Sequence, residues 1–250
     1  MNRPGFRTLF VINCLFLILV VSIATAQSKG RFYFEARGDV VWDVPTDQKV
    51  IALTFDDGPN PRYTPQILDL LKQHHAKATF FVTGLRVQKY PELAKREVLE
   101  GHELGNHTYS HPSMRQISSE KLQDELTKAN QVINHVTGQQ THLFRPPGGH
   151  YDETIVNTAK QAGYMVVMWS WDQDTRDWGR PGAEKIVRTV LSNIHNGDIV
   201  LFHDHGGNRN QTIAALREIL PELQQRGYRF VTISELLHMK ETTKPSENRR

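Results

Sequence analysis

The chain has almost no cysteine. Cys14 is the only one among 250 residues, and it lies inside the apolar run 9–21. Beyond that run there is no thiol, so a disulfide framework and cysteine chemistry are excluded there. Asn13 before Cys14, and the apolar residues after it, do not suit lipid attachment. Charge of one sign is also lacking. Lysine and arginine total 30 and aspartate and glutamate 27, a formal net charge of +3. Arg3 and Arg7 sit ahead of the apolar run, and Lys240, Lys244, Arg249 and Arg250 sit in a polar C-terminal stretch. What remains is close to neutral, which gives no electrostatic footprint for nucleic acid or a membrane surface. There is no internal repeat and no long low-complexity segment. The length suits one large domain or two small ones.

The single long hydrophobic run is at the N-terminus. Arg3 and Arg7 precede it, and Ala24-Thr25-Ala26 supplies small residues after it. This pattern predicts a secretory signal over residues 1–26, with cleavage after Ala26. Left uncleaved, 8–26 is nearly long enough to span a bilayer and would anchor the chain. Residues 27–49 form a lead-in whose Phe32, Tyr33, Phe34, Val40, Val41 and Trp42 can pack on the main domain. Residues 239–250 are polar, contain Pro245 and read as a disordered tail. A single domain over 50–238 is expected between them.

Strand and helix signals alternate through that domain. The apolar run 50–55 fits a strand buried on both faces. A helix follows, with Thr64 as a cap and Pro65 in its first turn. Further strands are expected at 78–82, 103–105, 143–145, 165–169, 199–202 and 230–233. Helices are expected at 92–100, 121–136, 152–162, 184–194 and 211–225, with Pro221 a candidate kink. Ser234 can cap a last short helix. Repeated strand–helix units imply a parallel sheet, and about seven of them in one domain suggest a distorted (β/α) barrel.

In such folds ligands sit at the carboxyl ends of the strands, and chemically capable residues cluster there. Asp56 and Asp57 follow the first strand. His107 and His111, spaced four apart as two ligands on one helical turn would be, follow the third. Arg145 ends the fourth, Asp174, Asp177 and Trp178 follow the fifth, and His203 ends the sixth. Each has an ordinary reading: a turn, a chance histidine pair, a salt bridge, a solvated loop, a core histidine. Together they are far more specific. A carboxylate with two imidazoles binds a divalent ion and leaves positions open. Such an ion acidifies water and polarises a carbonyl. A second carboxylate and a further histidine complete the equipment for hydrolysing an amide or ester.

Five ordered segments resemble the motifs of the polysaccharide deacetylase family, also called the NodB-homology domain or carbohydrate esterase family 4. They are Thr54-Phe55-Asp56-Asp57-Gly58-Pro59, His107-Thr108-Tyr109-Ser110-His111-Pro112, Arg145-Pro146-Pro147-Gly148, Asp174-Thr175-Arg176-Asp177-Trp178 and Leu201-Phe202-His203. The resemblance covers roughly residues 50–237 and implies a distorted parallel β/α barrel. It implies that Asp57, His107 and His111 hold the metal and that Asp56 is the general base, tethered by Arg145. It implies that His203 is the general acid, oriented by Asp177. Trp178 and Leu201 would wall the acetyl site, and the Gly148 N–H would help stabilise the oxyanion. Many members carry an aromatic residue where this chain has Gly148-Gly149. Tyr151 is the expected compensating substrate contact. Asp174 reads as support, and His205, beside Gly206 and Gly207, as an exposed loop residue.

The implied activity is metal-dependent removal of acetyl groups from an N-acetylated polysaccharide, either N-acetylglucosamine of peptidoglycan or chitooligosaccharide. Zinc is the expected cofactor, with cobalt, nickel or manganese as substitutes. The enzyme is expected to be secreted to the cell envelope and monomeric. It would touch a membrane only through an uncleaved N-terminal segment. Rival readings are an O-deacetylase on acetylated xylan, a small-molecule amidase and a non-catalytic carbohydrate-binding protein.

Overall fold

Side-chain parity along the central strand decides what faces where. In the computed structural model, which describes residues 29–243, strand β2 (Val50–Asp56) is buried at every position. Successive side chains of a strand point to opposite faces. Ile51, Leu53 and Phe55 join a cluster with the helices outside the sheet. Val50 and Ala52 belong to a second cluster, and Thr54 and Asp56 continue that inner face. The signal or anchor expected over 1–26 lies outside the described residues, as do residues 244–250 of the expected tail.

The other strands are β1 (Val40–Val41), β3 (Ala78–Val82), β4 (Glu103–Asn106), β5 (Leu143–Phe144), β6 (Met165–Val167), β7 (Ile199–His203) and β8 (Arg229–Phe230). Their order is β1-β6-β5-β4-β3-β2-β7, with β8 pairing β2, and every strand pair is parallel. The sheet curls into a half-barrel clad by helices. Asp174 forms an isolated parallel bridge with Leu201 alongside β7. Phe55 stacks between Phe80 and Phe202, with ring centroids 5.0 and 5.6 Å away. Each such fully buried aromatic or aliphatic side chain contributes about 1.5–3 kcal/mol.

The helices are α1 (Arg31–Ala36), α2 (Thr64–Gln73), α3 (Gly84–Lys89), α4 (Pro91–Leu99), α5 (Ser119–Thr137), α6 (Glu153–Gln161), α7 (Ala183–Ser192), α8 (Asn210–Gln225) and α9 (Ile233–Thr243). Local chemistry explains their ends. Ser118 accepts from the Lys121 N–H, and Gly138 closes α5 in the left-handed region. Asp152 caps α6 through the Ile155 N–H. Helix α3 is absent from the sequence reading, because its six residues carry neither a capping hydrogen bond nor a periodic apolar stripe. Helix α9 runs to Thr243, past the boundary at 238. In the lead-in, β1 pairs with β6, Val40 opposite Val166 and Val41 opposite Val167. No helix among the described residues is long and apolar enough to cross a membrane.

Candidate active site

Asp56 ends β2, and its register partner across the sheet is His203 at the end of β7. Both project from the inner face, as parity requires. Beside them Asp57, His107 and His111 converge. One ligand atom from each lies within 4.8 Å of the other two. The two histidine Nε2 atoms are 3.3 and 3.2 Å from Asp57 Oδ1. His107 Nδ1 is 2.7 Å from the Arg145 carbonyl oxygen. That contact is a donation by Nδ1–H, so the proton sits on Nδ1 and the Nε2 lone pair is free for an ion. One carboxylate and two imidazoles are the donor set that suits a zinc-like divalent ion.

The spacing of the histidines is not helical, contrary to the sequence expectation. Residues 107–111 form a loop in which Thr108 and His111 have φ of 69° and 56°. Glu125 on α5 accepts from the Tyr109 and Ser110 N–H groups and from the Ser110 hydroxyl. These contacts hold a backbone that L residues adopt only at a cost. Asp57 also lies in the left-handed region, at φ 77°.

Arg145 is fully buried behind Asp56. Its Nη1 donates to Asp56 Oδ1 at 2.8 Å and to Thr54 Oγ1 at 2.7 Å. Its remaining nitrogens bond the Val167 and Met168 carbonyls, and the Phe81 ring lies 4.1 Å from the guanidinium carbon. All three nitrogens of this buried cation make hydrogen bonds, and four of its five N–H donors are used, which makes a buried ion pair tolerable. On β7, His203 Nδ1 meets Asp177 Oδ1 at 2.7 Å. Asp177 Oδ2 accepts from the His203 N–H and the Thr212 hydroxyl.

Electrostatics follow from these contacts. Burial pushes the Asp57 carboxyl up, but the His107 and His111 hydrogen bonds outweigh it and hold the group well below the carboxylate range. The hydrogen bond to Asp57 raises His111. Burial lowers His203, yet Asp177, followed by Asp56 and Asp57, lifts it to about 9. An imidazole held protonated in this way can donate a proton at neutral pH.

A cavity of about 360 Å³ opens on these groups. Asp56, Asp57, His107, His111 and His203 line it, with Gly148, Trp178 and Leu201. Arg145 and Asp177 stand behind the lining. Tyr151 does not reach the cavity. It packs edge-on against Phe34 of α1 and Trp42 just after β1, at 5.7 and 5.3 Å, because the lead-in brings those aromatics to it. His205 is half-buried rather than exposed, 2.8 Å from Asn60 Nδ2, and does not join the ligand cluster. Asp174 lines the cavity too. Sequence reasoning gave no site role to Thr54, Gly206 and Arg209, and it left open which residue upstream of Asp174 reaches the cleft; that residue is Trp169. Parity with Asp56 is a signal that could have found Thr54. Gly149 is required twice over: its φ is 65°, and a Cβ there would fall 2.3 Å from the Trp169 ring.

Residues 43–167 match the family model described as polysaccharide deacetylase. A peptidoglycan-N-acetylglucosamine deacetylase of Bacillus cereus is 53% identical over 210 residues, spanning 84% of this chain and 98% of that protein. A solved peptidoglycan N-acetylglucosamine deacetylase, in complex with an N-oxidanyl-benzamide, superposes with a TM-score of 0.79 at 36% identity. That match covers 83% of this chain and 97% of the other. A family 4 acetyl xylan esterase from Clostridium thermocellum, in complex with a cobalt ion, has a TM-score of 0.72 at 35% identity, over 77% and 92% of the two chains. The class is therefore that of carbohydrate-directed hydrolases on a parallel β/α half-barrel. Within it, the chain belongs to the polysaccharide deacetylase family, whose deacetylases are metal-dependent.

Proposed function

We propose that this enzyme removes the acetyl group from N-acetylglucosamine residues of peptidoglycan, using a divalent ion, zinc first, held by Asp57, His107 and His111. One observation carries the reading: the three ligand atoms share a 4.8 Å cluster beside an Arg145–Asp56 pair and an Asp177–His203 pair. The similarity to the Bacillus cereus enzyme supports the choice of polymer.

A divalent ion in this position supplies Lewis acidity to the acetamide carbonyl and lowers the pKa of water. Asp56 accepts the proton of the attacking water. Arg145 orients that carboxylate through their 2.8 Å bond. The Gly148 N–H assists the developing oxyanion. His203, held protonated by Asp177, gives its proton to the departing nitrogen, so acetate and a free amino sugar result. Trp178 and Leu201 flank the acetyl methyl. Asp174 supports the loop through its bond to the Arg176 N–H. The domain runs from residue 50 through the end of α9 at Thr243 and carries the lead-in 27–49. The leader 1–26 directs the chain out of the cell, where the peptidoglycan lies, and the enzyme acts there as a monomer.

The test is acetate release, followed by mass spectrometry, from peptidoglycan, chitooligosaccharide and acetylxylan, with and without chelator. Release from peptidoglycan that chelator abolishes and zinc restores is the expected result. Release confined to acetylxylan favours the second reading, O-deacetylation, to which the likeness to an acetyl xylan esterase points. Glycan binding with no acetate under any metal would make the protein a non-catalytic binder.

A further inference from the structure

Trp178 is exposed over 58% of its surface and lines the cavity. Arginines stand two residues before and after it. Arg176 and Arg180 both adopt left-handed backbone, at φ 50° and 56°. Arg176 is loosely matched by Asp174 at 3.7 Å. Arg180 is exposed and has no carboxylate within ion-pairing distance among the described residues.

A third guanidinium approaches from another element. Arg209, 1% exposed, bonds only backbone carbonyls: those of His205, Asp177 and Gly206. A Cβ on Gly207 would lie 3.7 Å from Arg180 Nη2 and 3.8 Å from Arg209 Nη2, with nothing else beyond the chain neighbours within 4 Å. Two guanidinium groups thus border one open point at the mouth of the cleft, next to Gly206 of its lining. Among the described residues neither makes an ion pair with a carboxylate, although Asp57 Oδ2 and Arg209 Nη2 both border the point beside Gly206, and planar guanidinium forks favour carboxylates.

We propose that Arg180, backed by the field of Arg209, forms a carboxylate subsite for an acidic group on the glycan next to the sugar being deacetylated. The proposal rests on the peptidoglycan reading and deepens it. Peptidoglycan carries carboxylates on the lactyl ether of its muramic acid residues or on the attached peptides. Chitin and acetylxylan oligomers carry none at their repeating sugars. The subsite therefore sets a preference for an acidic over a neutral N-acetylated glycan.

The test measures kcat/KM for acetate release from three substrates: a peptide-free oligomer of alternating N-acetylglucosamine and muramic acid, its peptide-bearing form, and chitooligosaccharide. The expected result is that Arg180→Gln lowers the acidic-to-neutral ratio roughly fivefold, the upper range for a solvent-exposed ion pair, and that Arg180→Glu lowers it further. The change should lie in KM and shrink with added salt. Equilibrium binding of the acidic oligomer in an Asp56→Asn background should weaken in parallel. A fall confined to the peptide-bearing arm assigns the carboxylate to the peptide; a fall in the peptide-free arm assigns it to the lactyl group. An unchanged ratio with acetate still released overturns the subsite and leaves the deacetylase reading intact. No acetate from any arm overturns both.

Discussion

Two groups of acids are buried in the domain, and they are treated differently. Asp56 lies against Arg145, and Asp177 against His203, the Thr212 hydroxyl and a backbone N–H. Asp204 and Glu97 are as deeply buried, yet neither Glu97 oxygen makes a hydrogen bond within the protein, and Asp204 Oδ1 makes none either. Thr64 alone serves the other Asp204 oxygen with a side-chain hydroxyl. Gly58 admits this acid, since a Cβ there would overlap the Asp204 carboxylate. Burial lifts Asp204 to about 7, and burial with the neighbouring Asp204 raises Glu97 well above its ordinary value. The carboxyls placed for chemistry have cationic or hydrogen-bonding partners on the oxygens they use. Burial with few partners raises the pKa of the other two instead.

That contrast can be broken by mutation. The largest effect is expected for Asp56→Asn: a loss of turnover on the order of 10⁴ with metal binding retained. Acetate release near the parental rate would remove Asp56 as the base. Next is Arg145→Met, which strips the partner from a buried charge and should cost about 3–5 kcal/mol of stability. Urea unfolding checks it, and a change below about 1 kcal/mol would show Asp56 solvated rather than paired.

Asp177→Asn removes the leading charge that raises His203. The alkaline limb of kcat, expected to fall as pH rises through about 9, should move toward the ordinary histidine value of 6.5. The rate should drop roughly tenfold or more. The same group adds stability that is full below pH 6.5 and is lost as pH rises through about 9, so the variant should lose less stability than the parent over that interval. An unmoved limb would detach Asp177 from the acid.

The smallest effect, opposite in sign, is expected for Glu97→Met on the unpartnered side. Glu97 takes up a proton on folding, so it costs stability increasingly as pH rises above the ordinary glutamate value of 4.5. Replacing it should raise stability by about 1 kcal/mol at pH 8 and less at pH 5, read as a rise in Tm. A lower Tm at pH 8 would mean that Glu97 has a stabilising partner.

Much of this was legible in the sequence. Strands β2 and β7 are apolar runs closed by residues with chemistry, so their ends point to the rim. The less legible parts depend on contacts remote in the chain. His107 and His111 suggest a helical turn by spacing, but Glu125 holds a loop there. Tyr151 looks free to enter the cleft until Phe34 and Trp42 arrive with the lead-in. Glu97 lies between Arg96 and Val98 on a polar-looking helix, and nothing local announces its burial. Arg209 reads as a surface cation because its partners are all carbonyls, which leave no mark in a sequence.

The most direct test of the metal centre is elemental analysis of the purified protein and of His107→Ala after dialysis against zinc. The account expects about one ion per chain in the parent and almost none in the variant, with both folded by circular dichroism. Equal zinc in the two proteins would contradict it.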